Sequence, residues 1–112
     1  MEAHGAVASK AYGDEALVRS ALNDWRSAPV TAHVRAALGF LEKLTLAPDT
    51  VGPDDILPMR RAGVSDDAIE DAIHVCALFS VYVRLADSFD FEIPDAASFQ
   101  MGAKMLLERG YA

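Results

Sequence analysis

The first candidates for chemistry are Glu70 and His74, which stand four residues apart in the second half of the sequence. In a helix this spacing places both side chains on one face, one turn apart. A carboxylate and an imidazole so placed can ligate a metal ion together or act as a general acid and base. A third ligand is missing from the sequence pattern, so a partly buried, hydrogen-bonded pair is the favoured interpretation, and we expect neither a metal ion nor a cofactor.

Cys76 and Arg84 follow in the same segment. Cys76 stands among apolar residues without a basic neighbour in sequence, a setting that favours a core cysteine over a reactive thiol. Arg84 lies near the end of the apolar segment, where its charge must be paired or reach water. We expect Asp87 or an acid of another helix as its partner, and a substrate carboxylate is the alternative.

The elements that must position these residues are helices. Apolar residues recur at intervals of three and four along most of the chain, and no segment alternates with the period of a strand. The predicted helices run over residues 2–10, 14–26, 31–47, 53–63, 65–90 and 95–110. Thr31, Ser65 and Asp95 are expected N-caps, Gly63 is expected to end its helix in a left-handed conformation, and Pro58 to kink its segment or leave it partly 3₁₀. The fold class is therefore all-α, with about five to six helices and a long central helix over about 65–90.

The long helix indicates a partner. From residue 72 to residue 86, "AIHVCALFSVYVRLA", nearly every residue is apolar, and these residues point in every direction around the helix axis. A chain of this size has few neighbouring helices with which to cover them. We therefore predict a homo-oligomer, with a central core helix in a monomeric bundle as the alternative.

Length and charge restrict the remaining classes. The 112 residues predict one domain, 1–112, and the net charge of −7 argues against nucleic acid and anionic membrane surfaces as partners. No apolar run approaches the roughly 18 residues of a membrane helix, and the first ten residues do not read as a signal peptide. We expect a cytoplasmic protein. The single cysteine excludes an intramolecular disulfide and a multi-cysteine metal site.

Four short motifs in a fixed order resemble one family. They are "DWRSAP" at 24–29, "KLT" at 43–45 followed by Pro48, "DILPMRRAGVSD" at 55–66, and "FSVYVRLAD" at 79–87. Together they resemble the AhpD-like superfamily, in its peroxidase-related branch near the carboxymuconolactone decarboxylases, over about residues 2–91. The resemblance implies an all-helical, oligomeric, oxidoreductase-like antioxidant protein.

The departures from the family pattern concern its active site. Redox-active members carry C-x-x-C shortly before a histidine, and aligning that histidine with His4 places the second cysteine one residue before Met1. A thiol peroxidase needs a thiolate to attack the peroxide and a second thiol to resolve the sulfenic acid, so we expect this activity to be lost. His4 is then a proton relay without its thiols, or a histidine on a loose terminal turn. The last motif also lacks the two asparagines usual in the family.

Three hypotheses about function remain open. The first is a peroxidase-related protein whose thiol chemistry is lost. The second is a non-catalytic oligomer or binding module with a small-molecule ligand at a helix interface. The third is an enzyme of the decarboxylase arm that uses Arg84, His74 or Glu70 on a small carboxylate or lactone.

Overall fold

The computed structural model describes residues 2–110, with side chains from His4 onward, and this part of the chain is helical without a strand. The prediction of an all-α fold with five to six helices is confirmed. The helices are α1 (Glu2–Tyr12), α2 (Glu15–Asp24), α3 (Ala32–Leu46), α4 (Leu57–Arg61), α5 (Asp66–Ser88) and α6 (Ala96–Arg109). Two 3₁₀ turns, Pro48–Thr50 and Pro53–Ile56, connect α3 to α4. Among these elements none is long and apolar enough to cross a membrane.

Polar N-caps start the helices where the sequence places them. The side chains of Thr31, Ser65 and Asp95 each accept a hydrogen bond from the backbone N–H three residues on, as predicted. Gly63 follows α4 with φ of +88°, which confirms the expected left-handed end. The segment around Pro58 is a 3₁₀ turn followed by a five-residue helix, also as predicted.

Two compact units make up the described chain. The first comprises the residues up to Val30 together with those from Glu92 onward, and in it α1 packs against α2 and α6. Among its described residues, Ala28 and Ala103 are buried. That residues 1–112 form a single domain remains a prediction.

The second unit, Thr31–Phe91, contains α3, α4 and α5. Its core is formed by Phe40, Met59 and Ile69, one residue from each helix. Part-buried Lys43 and Asp55 form an ion pair at 2.6 Å that links α3 to the second 3₁₀ turn. Asp55 also accepts a hydrogen bond from the Gly52 N–H at 2.8 Å, so one carboxylate fixes both the turn and the helix beside it.

Candidate functional site

The second unit contains a groove of about 590 Å³ between the end of α3 and the middle of α5. We call it the Arg84 groove. Its walls combine apolar side chains with three polar groups and a guanidinium. They are Leu44, Thr45, Pro48, Cys76, Phe79, Ser80, Val83 and Arg84.

Helix periodicity explains why α5 contributes residues at these positions. Cys76, Ser80, Val83 and Arg84 follow one another at intervals of four, three and one, so they lie along one side of the helix. Ile69, two turns earlier on the same side, is buried in the core with α3. The groove therefore lies on the same side of α5 as the buried core, further toward the C-terminal end of the helix.

Cys76 is half-buried in this groove, and the expectation of a core cysteine is wrong. Its Sγ lies 3.6 Å from the Thr45 Oγ1. The Thr45 hydroxyl donates its only proton to the Leu41 carbonyl, 2.7 Å away, so its oxygen is left to accept from the Cys76 S–H. The threonine thus fixes the orientation of the thiol at the wall of the groove.

Arg84 is exposed, and it lines the groove about two turns of α5 beyond Cys76. Its Nη1 donates to the Ser80 carbonyl one turn earlier, at 2.9 Å. The expected partner Asp87 is not bonded to it: the guanidinium turns back along its own helix to a backbone oxygen. Because a guanidinium has five N–H donors, the remaining donors of Arg84 are available to a ligand in the groove.

Glu70 and His74 lie outside the groove. Both are exposed, and they are not hydrogen-bonded to each other, so the favoured interpretation of a partly buried, hydrogen-bonded pair is wrong. Within residues 4–110, no group of three His, Cys, Asp or Glu side chains is arranged to hold a metal ion. At 1.5 Å of rise per residue, they precede Arg84 on α5 by about 21 Å and about 15 Å. One small substrate therefore does not reach all three side chains of one copy.

His4 lies on α1, an element of the first unit, and its side chain is exposed. The other three sequence-predicted residues lie on α5 in the second unit. Of the four, the structure places only Arg84 in the Arg84 groove.

The groups with shifted pKa values hold elements together and do not line the groove. Hydrogen bonds from Lys43 and from the Gly52 N–H lower the pKa of Asp55. The hydrogen bond from Arg60, 2.7 Å away, lowers the pKa of Asp66. These shifts report structural ion pairs at turns and helix starts, so they do not indicate a catalytic acid or base.

The first unit has a polar surface groove of its own, lined in part by Glu15, Arg19, Asp24 and Ser27. Its guanidinium is already paired, because Arg19 donates to Glu15 one turn earlier. Asp24 accepts from the Ser27 hydroxyl at 2.6 Å. The charge of its arginine is thus neutralised by a carboxylate, which makes this groove a weaker candidate for binding an anion than the Arg84 groove.

Neither protein-family models nor curated proteins provide a match to this sequence. The candidate site is thus defined by its geometry alone. Sequence reasoning missed Thr45 and Ser80 as site residues, because a hydroxyl residue inside an amphipathic helix carries no local sign of the groove that it lines.

Proposed function

We propose that the second unit binds a small carboxylate-bearing molecule in the Arg84 groove. The observation that carries this proposal is the bonding of Arg84, which lines the groove and whose guanidinium has, among the described residues, one hydrogen-bond partner, a backbone carbonyl of its own helix. A planar guanidinium with free N–H donors matches the two oxygens of a carboxylate. The groove therefore offers an anchor for one charged group of a ligand.

The other walls define the rest of the ligand. Leu44, Phe79 and Val83 supply apolar surface beside the guanidinium. Thr45 and Cys76 are already bonded to each other, so they add little capacity for further polar groups. The ligand class that fits is a compact carboxylate with an apolar body, such as a small aromatic or unsaturated acid.

The positions of Arg84, Glu70 and His74 favour a binding function over catalysis by these three predicted residues together. General acid–base chemistry requires a side chain within hydrogen-bond reach of the reacting group. Glu70 and His74 are about three to four helical turns from Arg84. A decarboxylase-type enzyme that combines Arg84 with these two residues in one copy is therefore disfavoured, and we propose that Arg84 acts as a binding residue.

The resemblance to AhpD-like, peroxidase-related proteins remains part of the proposal. The four motifs at residues 24–29, 43–48, 55–66 and 79–87 support it. Thiol peroxidase chemistry needs two thiols, and this sequence supplies Cys76 alone. We therefore propose that residues 1–112 form an AhpD-like scaffold that does not by itself supply the two thiols of a peroxidase. The resemblance can be tested by adding a C-x-x-C segment ahead of His4 at the spacing usual in the family. Consumption of hydroperoxide by this variant would support the resemblance, and a dithiol protein without activity would count against it.

Homo-oligomerisation and a cytoplasmic location complete the proposal. Large apolar side chains left exposed on α5 support the oligomer. The acidic composition, with a net charge of −7, fits a protein that avoids nucleic acid and anionic membranes.

Titration of the ¹⁵N-labelled protein with benzoate, followed by NMR, tests the ligand site. We expect shift changes at Thr45, Cys76 and Arg84. Arg84→Gln should weaken benzoate binding by about tenfold or more, because a hydrogen bond to a charged group is worth about 1.5–3 kcal/mol. Arg61→Gln, which removes an exposed arginine of the same unit outside the groove, is the matched control and should bind as the parent does.

Neutral benzamide, which has the same ring, separates charge recognition from apolar contact. The proposal fails if benzamide binds as tightly as benzoate. It also fails if Arg84→Gln and Arg61→Gln have equal effects.

A further inference from the structure

The side of α5 that faces away from α3 carries an exposed apolar stripe. The stripe consists of Val75, Leu78, Tyr82 and Leu85 on the helix and Phe89 at its C-cap. Their exposed fractions run from 44% for Leu85 to 69% for Tyr82 and Phe89. The spacing of three, four, three and four residues is the a/d repeat by which one helix packs along another.

The opposite side of α5 is the one that contacts α3. At about 100° per residue, the stripe occupies an arc of about 80°, centred roughly opposite Ile69 and Cys76. Ile69 is buried in the core, and Cys76 contacts Thr45 of α3. The stripe is therefore a second packing face, which the other elements of the second unit leave exposed.

The size of the stripe matches the apolar area that one partner of a stable dimer buries. With about 150–250 Å² for a whole large side chain, the exposed parts of the five stripe residues total roughly 550 Å². Each partner in a standard interface buries about 800 Å², of which about 65% is apolar in homodimers, or roughly 520 Å². The stripe also lies at the upper end of the range of about 300–600 Å² for the largest apolar patch on a typical monomer.

Charge along α5 determines the direction of pairing. Four acids, Asp66, Asp67, Glu70 and Asp71, lie within its first two turns, whereas its last two turns carry one base, Arg84, and one acid, Asp87. Parallel pairing of two copies would bring the eight carboxylates of the two acidic ends together within about a Debye length. Antiparallel pairing separates the two acidic ends and opposes the helix dipoles.

We propose that the partner of this stripe is a second copy of the same chain, with the two α5 helices antiparallel about a two-fold axis. In the a-against-d register of such a pair, Val75 packs against Leu85 of the second copy and Leu78 against Tyr82 of the second copy. This inference rests on the homo-oligomer proposed above and specifies its surface and its direction.

Two valine substitutions on one helix test the surface. Val75, in the stripe, and Val83, outside it, are each 53% exposed, so Val75→Glu and Val83→Glu make the same chemical change at equal exposure. Sedimentation equilibrium of the parent chain should give a mass of at least twice the 12.0 kDa of one chain. Val75→Glu should raise the dissociation constant at least tenfold, and Val83→Glu should leave it within twofold. Circular dichroism at 222 nm checks that both variants keep their helices.

The outcomes distinguish a failure of the homo-oligomer from a failure of the stripe as its interface. A parent chain that stays at 12.0 kDa at 100 µM overturns the homo-oligomer and the stripe together. An oligomer that Val75→Glu leaves intact, or that Val83→Glu weakens equally, overturns the stripe and leaves the homo-oligomer standing.

Cysteine cross-linking in a Cys76→Ser background tests the direction. An oxidised equimolar mixture of Leu78→Cys and Tyr82→Cys chains should yield the mixed disulfide, identified by intact mass. Leu78→Cys alone should remain largely uncross-linked, since its antiparallel neighbour is Tyr82 of the second copy. Efficient homodimerisation of Leu78→Cys alone would show parallel pairing and overturn the antiparallel arrangement.

Discussion

Met59→Ala is the sharpest test of the packing that supports the candidate site. Met59 is the largest fully buried side chain in the described residues, with 0% exposure, and it packs with Phe40 and Ile69. A Met→Ala change in a core costs about 2–5 kcal/mol, from lost transfer free energy and from the cavity left behind. Because few other side chains are buried around Met59, we expect the free energy of unfolding to fall by about 3 kcal/mol. At about 4–8 °C per kcal/mol for a domain of roughly 60–100 residues, the melting temperature should fall by roughly 12–24 °C.

The measurement is urea and thermal unfolding, followed by circular dichroism at 222 nm. All variants are compared at one protein concentration, because self-association adds to the apparent stability. Met101→Ala is the matched control: Met101 is 73% exposed on α6, and its truncation should cost less than about 0.5 kcal/mol. Met59→Leu, which roughly conserves volume, should cost under about 1.5 kcal/mol. Equal losses for Met59→Ala and Met101→Ala would refute the assignment of Met59 to the core.

Three further perturbations test the turns and caps. Gly63→Ala should destabilise the protein by about 1–2 kcal/mol, because the φ of +88° at this position is strained for alanine. Gly102→Ala should instead stabilise it by about 0.5–1 kcal/mol, because this position lies inside α6 and has open space where the Cβ would be. Urea unfolding that gives both changes the same sign would contradict this reasoning. Because the hydrogen bond from Lys43 lowers the folded-state pKa of Asp55 below its ordinary 3.8, this group stabilises the fold above that pH, and its contribution is lost as the pH falls through the lower folded-state value. Urea titrations at pH 6 and pH 3 should therefore show a smaller loss for Asp55→Asn than for the parent, and an equal loss would argue against the ion pair. Ser65→Ala should cost about 1 kcal/mol by removing the N-cap of α5, and an unchanged urea midpoint would show that the cap is dispensable.

Local signals made most of the fold predictable. An N-cap side chain accepts a hydrogen bond from the N–H three residues on, and a glycine ends a helix within one turn. The roles of Ser65, Asp95 and Gly63 could therefore be predicted from the residues next to them in sequence. Burial depends instead on distant elements. The apolar residues all round α5 predicted burial on every side, whereas the structure buries Ile69 and leaves Leu78 and Tyr82 exposed. Sequence composition shows which residues favour burial, and only the arrangement of neighbours shows which of them obtain it.

In the candidate site, too, the surroundings of a side chain depend on residues that are distant in sequence. Cys76 has apolar neighbours on both sides in sequence, yet consecutive residues on a helix point about 100° apart, so those neighbours do not form its environment. Its contact is Thr45, thirty-one residues earlier in the chain. Arg84 was expected to pair with Asp87, and its guanidinium bonds the Ser80 carbonyl instead. A carboxylate that enters the groove would therefore meet an arginine that has no acidic partner among the described residues. The benzoate titration of Arg84→Gln thus measures recognition of the ligand and not the breaking of an internal ion pair.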